Sequence, residues 1–150
     1  MEKLEQKYQS LRKALATFGE TLEHIKRVES ERYSYCLDRD SEGQYLVECR
    51  IYRDSAIHRF EYTIDIFWKY LKKYLEAKNI SSDAKIPGDV VRIACANQIV
   101  SEDEAELILS MVKQRNLTSH MYRENLAIEL ERDLQEYYRQ LIIFTERLVP

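Results

Sequence analysis

Glycine and proline are scarce in this sequence, with three and two residues respectively among 150. Because these residues interrupt regular structure, their scarcity indicates long elements joined by short turns and argues against a disordered chain. Long hydrophobic runs are also missing, since the apolar run LIIF near the carboxyl end is far too short to cross a bilayer. The first ten residues, MEKLEQKYQS, are polar and charged, unlike a secretory signal. We therefore expect a cytoplasmic protein without a membrane span.

Cysteine is also rare, and Cys36, Cys49 and Cys95 are odd in number, far apart and without a C-x-x-C pair. This pattern predicts neither a disulfide framework nor a zinc site, and it fits a reducing compartment. The net charge of -3 gives no general attraction to nucleic acid, so any RNA contact must come from a local basic cluster. A chain of 150 residues has the size of one domain, and we predict a single domain over residues 1–150.

Apolar residues recur at alternating steps of three and four, which is typical of amphipathic helices that bury one face. The first stripe comprises Leu4, Tyr8, Leu11, Leu15, Phe18, Leu22 and Ile25. A matching stripe near the carboxyl end comprises Leu126, Leu130, Leu134, Tyr137, Leu141, Phe144 and Leu148. With no sustained alternation typical of strands, the sequence predicts an all-α fold: an antiparallel up-and-down four-helix bundle with an additional short helix.

The helix boundaries are predicted from capping residues. Ser41 and Gln44 have capping-box spacing and would start the second helix, although the tyrosines and valine within 33–47 also fit a small hairpin. The short third helix is expected after Pro87, because proline is tolerated in the first helical turn. Residues 101–104, SEDE, form a second capping box with acidic residues at the positive helix end, and they open the fourth helix.

The stretch RNLTSHMY, residues 115–122, places an arginine, a histidine and a tyrosine near the expected end of the fourth helix. Arginine binds phosphate through a planar fork of donors, and histidine transfers protons near neutral pH. RNA cleavage by its own 2′-hydroxyl needs both functions, without a metal. Arg115 and His120 are about one and a half turns apart, so either the helix ends between them or a second copy contributes. The alternative is that both cations simply meet the negative end of the helix dipole.

The R-x4-H-x-Y pattern of Arg115, His120 and Tyr122 resembles the signature of the HEPN superfamily, in particular the HepT-like proteins known as nucleotidyltransferase substrate-binding subunits. A second stretch is similar to the same group: RDSAIHRFEYT at 53–63, followed by WKYLKKYL at 68–75. The likeness is strongest over residues 51–130. It implies a homodimeric four-helix bundle that works beside a separate minimal nucleotidyltransferase.

In toxin members of that family, the arginine and histidine form a metal-independent RNase site at the dimer interface. The resemblance therefore implies that Arg115 binds the scissile phosphate, that His120 transfers the proton and that Asn116 is their polar neighbour. It also implies that Tyr122 accepts adenylate from the partner enzyme, which uses ATP, and that this silences a toxin of the toxin–antitoxin type. Arg123 departs from the acidic residue of many relatives and adds a phosphate donor. The alternative is a non-catalytic subunit that binds a substrate for the nucleotidyltransferase.

Lys69, Lys72 and Lys73 form a local basic cluster on the second helix, which would line the same cleft and attract RNA or a nucleotide. Such lysines also occur on ordinary solvated helix faces. Glu61 and Asp65 are one turn apart, but no histidine lies at a matching spacing, so we predict no metal site and interpret them as surface residues. The protein itself is expected to hold no cofactor.

Overall fold

The computed structural model describes residues 2–30, 39–80, 83–120 and 124–150, and at 39–46, 118–120 and 124–125 it describes the backbone alone. Within these ranges the chain forms five helices and no strand, which confirms the all-α prediction. The helices are α1 (Glu2–Ser30), α2 (Arg39–Ala77), α3 (Pro87–Ala96), α4 (Glu102–His120) and α5 (Glu124–Arg147). Over the residues described, none of them combines the length and apolar character that a membrane crossing requires.

Helix α2 begins at Arg39, so the prediction that Ser41 caps its start is wrong. Tyr45 and Val47 lie inside this helix, and the hairpin alternative is therefore wrong over that part, while residues 31–38 lie outside the described residues. The physical reason is that an isolated two-stranded hairpin is only marginally stable, whereas extending α2 adds a hydrogen bond for every residue.

Helices α2 and α3 are each followed by a residue in the left-handed conformation. Asn79 and Gln98 have positive φ values of 61° and 60°, a conformation that asparagine tolerates better than most residues. The next amide in each case bonds back five residues, from Ile80 N to Leu75 O at 3.0 Å and from Ile99 N to Ala94 O at 2.9 Å. These bonds satisfy carbonyls that the helix ends would otherwise leave without partners.

The predicted starts of α3 and α4 are confirmed. Pro87 is the first residue of α3, where its missing N–H costs no hydrogen bond. At α4, the Glu104 amide donates to Ser101 Oγ at 3.1 Å, and the Ser101 amide donates to Glu104 Oε1 at 2.8 Å. This reciprocal capping box fixes where α4 begins.

Contacts between rings define the directions of the long helices. Phe60 stacks on Tyr137 and Phe67 contacts Phe144, so α2 and α5 run parallel. Three contacts connect α1 with α2 in reverse order, and they join Tyr8 to Tyr70, Phe18 to Phe60 and His24 to Tyr52. Helix α1 is therefore antiparallel to both α2 and α5.

Helix α4 runs in the same direction as α1. Its first turn is joined to the end of α5 by an ion pair between Arg147 Nη1 and Glu104 Oε2 at 2.8 Å. The hydrogen bond from Arg147 is the main cause that lowers the pKa of Glu104. Within the described residues, α4 contacts α2, α3 and α5 but not α1. Helices α1 and α4 therefore lie on different sides of the α2–α5 pair.

The buried apolar side chains form one cluster that extends from Leu4 to Leu148. Tyr70, Phe18, Phe60, Phe67 and Phe144 are its largest fully buried members. The Tyr70 hydroxyl donates a buried hydrogen bond to the Leu148 carbonyl, which connects the last quarter of α2 to the residue after α5. Burial is also the main cause that raises the pKa of Tyr70 far above its ordinary value. This core holds α2, α4 and α5 in place around Arg115.

Candidate functional site

Arg115 lies on α4 and faces α2, where it forms a two-pronged ion pair with Asp65. Its Nε donates to Asp65 Oδ1 at 3.0 Å, and its Nη2 donates to Asp65 Oδ2 at 2.9 Å. The Arg115 side chain is 25% exposed and that of Asp65 is 36% exposed. Two parallel charge-assisted hydrogen bonds fix the plane as well as the position of the guanidinium. Arg115 is therefore an oriented cation at the edge of the α2–α4 contact.

The electrostatic surroundings of Arg115 favour its charged form. The hydrogen bonds to Asp65 raise the pKa of Arg115, as do the charges of Asp65 and Glu61, while partial burial acts in the opposite direction. The guanidinium uses two of its five N–H donors in the pair with Asp65. A group of this kind can hold a phosphate or carboxylate, in competition with the Asp65 carboxylate.

Helix α4 continues without interruption from Arg115 to His120, so the helix does not end between them. On a regular helix, residues five apart lie about 140° apart around the axis and about 7.5 Å apart along it. Of the two geometries that the spacing allowed, the one with a helix end between the two residues is wrong. The side chain of His120 lies outside the described residues.

The other residues of the RNLTSHMY stretch are only partly described. Asn116 is exposed and lines a groove of about 720 Å³ between α3 and α4, together with apolar residues that include Leu109 and Val112. Tyr122 and Arg123 lie outside the described residues, so their expected roles stay predictions. Asn116 faces a mainly apolar groove, whereas Arg115 faces the Asp65 carboxylate.

The lysines of the predicted basic cluster occupy the outer surface of α2. Lys69 and Lys73 are exposed, and Lys72 is half-buried. Lys73 forms an ion pair with Glu76 at 3.1 Å, and the Lys69 ammonium lies 5.8 Å from the centre of the Trp68 ring. These contacts stay within α2, as expected for a solvated helix face, and the role of the three lysines in binding RNA stays a prediction.

The family model described as nucleotidyltransferase substrate binding protein like matches residues 6–149. The chain belongs to this family. A protein from Thermus thermophilus with a known crystal structure is 41% identical, with a TM-score of 0.62, over 67% of this chain and 83% of that chain. The comparison with curated proteins gave no match.

Asp65 is the member of this site that sequence reasoning missed, because its spacing from Glu61 indicated an ordinary surface pair. In this member of the nucleotidyltransferase substrate-binding family, Asp65 follows the buried Ile64 on α2. Its carboxylate binds Arg115 of α4 across the interface between the two helices. The sequence feature that could have identified Asp65 is its position at the border of the apolar stripe of α2. A short carboxylate at that position can reach a neighbouring helix. No group of residues in the described part of the chain has the arrangement of a metal site.

A second polar group lies where α1 ends and α5 begins. Arg53, the first residue of the RDSAIHRFEYT stretch, is only 8% exposed, and its Nε lies 4.0 Å from Asp54 Oδ1. Burial raises the pKa of Glu131 on α5, and the charge of Glu29 adds to this, while the charge of Arg53 opposes it. Because an arginine is seldom buried unless its charge is paired, we assign Arg53 a structural role.

Proposed function

We propose that this chain is the helical partner of a separate minimal nucleotidyltransferase, and that the end of α4 is its phosphate-binding site. Membership of the nucleotidyltransferase substrate binding protein like family supports the partnership. The observation that carries the site is Arg115, which its two hydrogen bonds with Asp65 orient while a quarter of the side chain stays exposed. The partner enzyme would use ATP, and this chain would need no cofactor.

More specifically, the chain would be a HepT-like protein of the HEPN superfamily. It would fold as an up-and-down four-helix bundle and form a homodimer. The four long helices would make the bundle, and α3 would be the additional short helix. Because Arg115 and His120 lie on one continuous helix, where a regular geometry would place them about 140° apart, a single copy would not bring them side by side. A two-fold axis close to the end of α4 would bring Arg115 of one copy toward His120 of the other.

The reaction proposed for this dimer is metal-independent cleavage of RNA. His120 would accept the proton of the 2′-hydroxyl, the 2′-oxygen would form a bond to phosphorus, and the bond from phosphorus to the 5′-oxygen would break. The departing 5′-oxygen takes up a proton, and the products carry a 2′,3′-cyclic phosphate and a 5′-hydroxyl. Arg115 would bind the non-bridging oxygens, on which negative charge builds. Asn116, Arg123 and the lysines of α2 would contact the RNA backbone.

Adenylylation of Tyr122 is the proposed control of this activity, as in a toxin–antitoxin pair. The partner would transfer adenylate from ATP to the Tyr122 hydroxyl, forming a phosphodiester and releasing pyrophosphate. A bulky anion two residues from His120 would block and repel RNA. Mass spectrometry of protein co-expressed with the partner should show the added adenylate, and Tyr122→Phe should not carry it.

The decisive experiment measures RNA degradation by the purified chain in the presence of EDTA. Arg115→Ala and His120→Ala should each reduce the rate by at least about 100-fold, because each removes a charge-stabilising or proton-transfer group. Arg139→Ala is the matched control, since that arginine is exposed on α5 and, among the residues that the structure describes, pairs with nearby Glu136 and not with α2. Circular dichroism would show that the variants remain folded. RNase activity that survives His120→Ala would contradict this mechanism.

The second candidate is a non-catalytic subunit that presents a substrate to the nucleotidyltransferase. One observation favours this candidate: the Asp65 carboxylate already pairs with the Arg115 guanidinium. Such a pair is expected of a structural contact, or of a contact that a ligand displaces, more than of a cation that stabilises a transition state. If the wild type and His120→Ala are equally inert toward RNA, and the wild type does not arrest growth, the second candidate replaces the first. Measuring the mass of the particle in solution would test the homodimer in either case.

A further inference from the structure

A cleft of about 470 Å³ lies between α1 and α5 and is lined by an unusual set of polar groups. They are Tyr8 and Arg12 from α1, and Tyr138, Thr145 and Glu146 from α5. Because α1 does not contact α4 within the described residues, this cleft is separate from the α2–α4 contact that holds Arg115. It therefore belongs to neither of the functions proposed above.

Two opposite charges line this cleft. Arg12 on α1 and Glu146 on α5 lie on opposite walls, and within the described structure neither takes part in an ion pair. By contrast, Arg147, the residue after Glu146, forms an ion pair with Glu104 of α4 at 2.8 Å. An exposed cation and anion on facing walls can bind the two ends of a molecule that carries both charges.

Thr145 adds a buried hydroxyl that has no hydrogen bond. The residue is 4% exposed, and its Oγ1 has no partner among the described residues. Other helical hydroxyls donate to the carbonyl four residues earlier, and these belong to Ser10, Thr17, Thr21, Thr63 and Ser110. This oxygen is sealed from solvent, so a ligand in the cleft would reach it only after the Thr145 side chain rotates, and a buried polar atom left without a partner is destabilising.

The shape of the cleft depends on Gly19, which lies in the interior of α1. A Cβ at this position would lie 2.6 Å from Tyr138 Oη and 2.9 Å from Tyr138 Cζ, both closer than atoms can approach. Glycine weakens a helix interior, and here its absence of a side chain lets the Tyr138 phenol lie against the α1 backbone. Tyr138 also packs edge-on against Phe18, with ring centres 5.6 Å apart. One wall of the cleft is thus held in a fixed position.

We propose that this cleft binds a small zwitterion of the α-amino acid class. The carboxylate of the ligand would pair with Arg12 and its ammonium with Glu146. Its side chain would contact Leu15, Ile142 and Val149, the larger apolar residues of the lining. The volume lies within the range of small-molecule sites, and the mixture of charges, hydroxyls and apolar groups suits a compact polar ligand better than a protein surface.

The test is isothermal titration calorimetry of the full chain with each of the twenty amino acids. At least one should bind, and Arg12→Gln and Glu146→Gln should each weaken that binding at least about tenfold, because each removes a charged partner. Arg27→Gln is the matched control on α1, because Arg27 is exposed and does not line the cleft. Arg115→Ala should also leave the affinity unchanged, which separates this site from the one on α4.

Thr145→Val provides an independent measurement, because valine has nearly the same shape but no hydroxyl. It should raise the Tm of the protein without added amino acid by roughly 2–4 °C, since it removes a buried group without a partner. It should also weaken amino-acid binding. The proposal is overturned if no amino acid binds at millimolar concentration, if Thr145→Val lowers the Tm, or if Arg12→Gln changes only the association of the chain with a second copy.

Discussion

The ion pair between Arg115 and Asp65 is expected to couple the stabilities of α2 and α4. Two unit charges about 4 Å apart attract by roughly 4 kcal/mol at an effective dielectric constant of about 20. The Arg115 side chain is 25% exposed and the Asp65 side chain 36% exposed, so solvent screening and lost side-chain entropy cancel most of this attraction. We expect a net coupling free energy of about 1 kcal/mol, or roughly 2–4 °C in Tm.

A double-mutant cycle measures this coupling directly. The free energy of unfolding would be determined by urea denaturation at low salt, since urea is uncharged, for the wild type, Arg115→Ala, Asp65→Ala and the double variant. The cycle with Glu136→Ala and Arg139→Ala is the control, because that pair has similar bidentate geometry but is more than half exposed and lies within one helix. Its coupling should be the smaller of the two.

A coupling between Arg115 and Asp65 below about 0.3 kcal/mol, which is the scatter of independent sites, would refute this expectation. A coupling no larger than that of the control pair would refute it as well. High salt should reduce both couplings, since the Debye length falls to about 3 Å in 1 M salt. A coupling with Asp65 that rises with salt would indicate packing and not charge attraction.

Three further substitutions probe the capping box of α4, the buried Glu131 and the glycine inside α1. Ser101→Ala should lower the free energy of unfolding by about 1 kcal/mol in thermal melts, while Ser110→Ala, within the same helix, should not lower it. Burial raises the pKa of Glu131 above its ordinary 4.5, so its contribution to stability is present at low pH and is lost as the pH rises through the folded pKa. Glu131→Gln should therefore raise the Tm near pH 7 but not near pH 3, and an equal gain at both would refute this. Gly19→Ala should cost about 1 kcal/mol by displacing Tyr138, and in a Tyr138→Leu background it should stabilise the protein instead.

The sequence by itself determined the five helices, because apolar periodicity and capping chemistry act over a few residues. The stripe from Leu4 to Ile25 is buried along one face of α1, and the capping box of Ser101 and Glu104 has both predicted hydrogen bonds. The predicted start of α2 at Ser41 was wrong. A serine followed three residues later by a glutamine has the spacing of a capping box even inside a helix, so the spacing alone does not show that a helix begins there.

The candidate site was only partly predictable for the same reason. The sequence identified Arg115 through a motif, but Asp65 lies fifty positions away, and nothing local relates the two residues. The cleft between α1 and α5 likewise depends on Arg12, Gly19 and Thr145, and nothing in the local sequence distinguishes these three from other helical residues. Side chains from distant segments meet only after the core has fixed the helix directions and rotations. Local patterns therefore determined the elements, and only tertiary packing decided which charges pair and which are left facing a cleft.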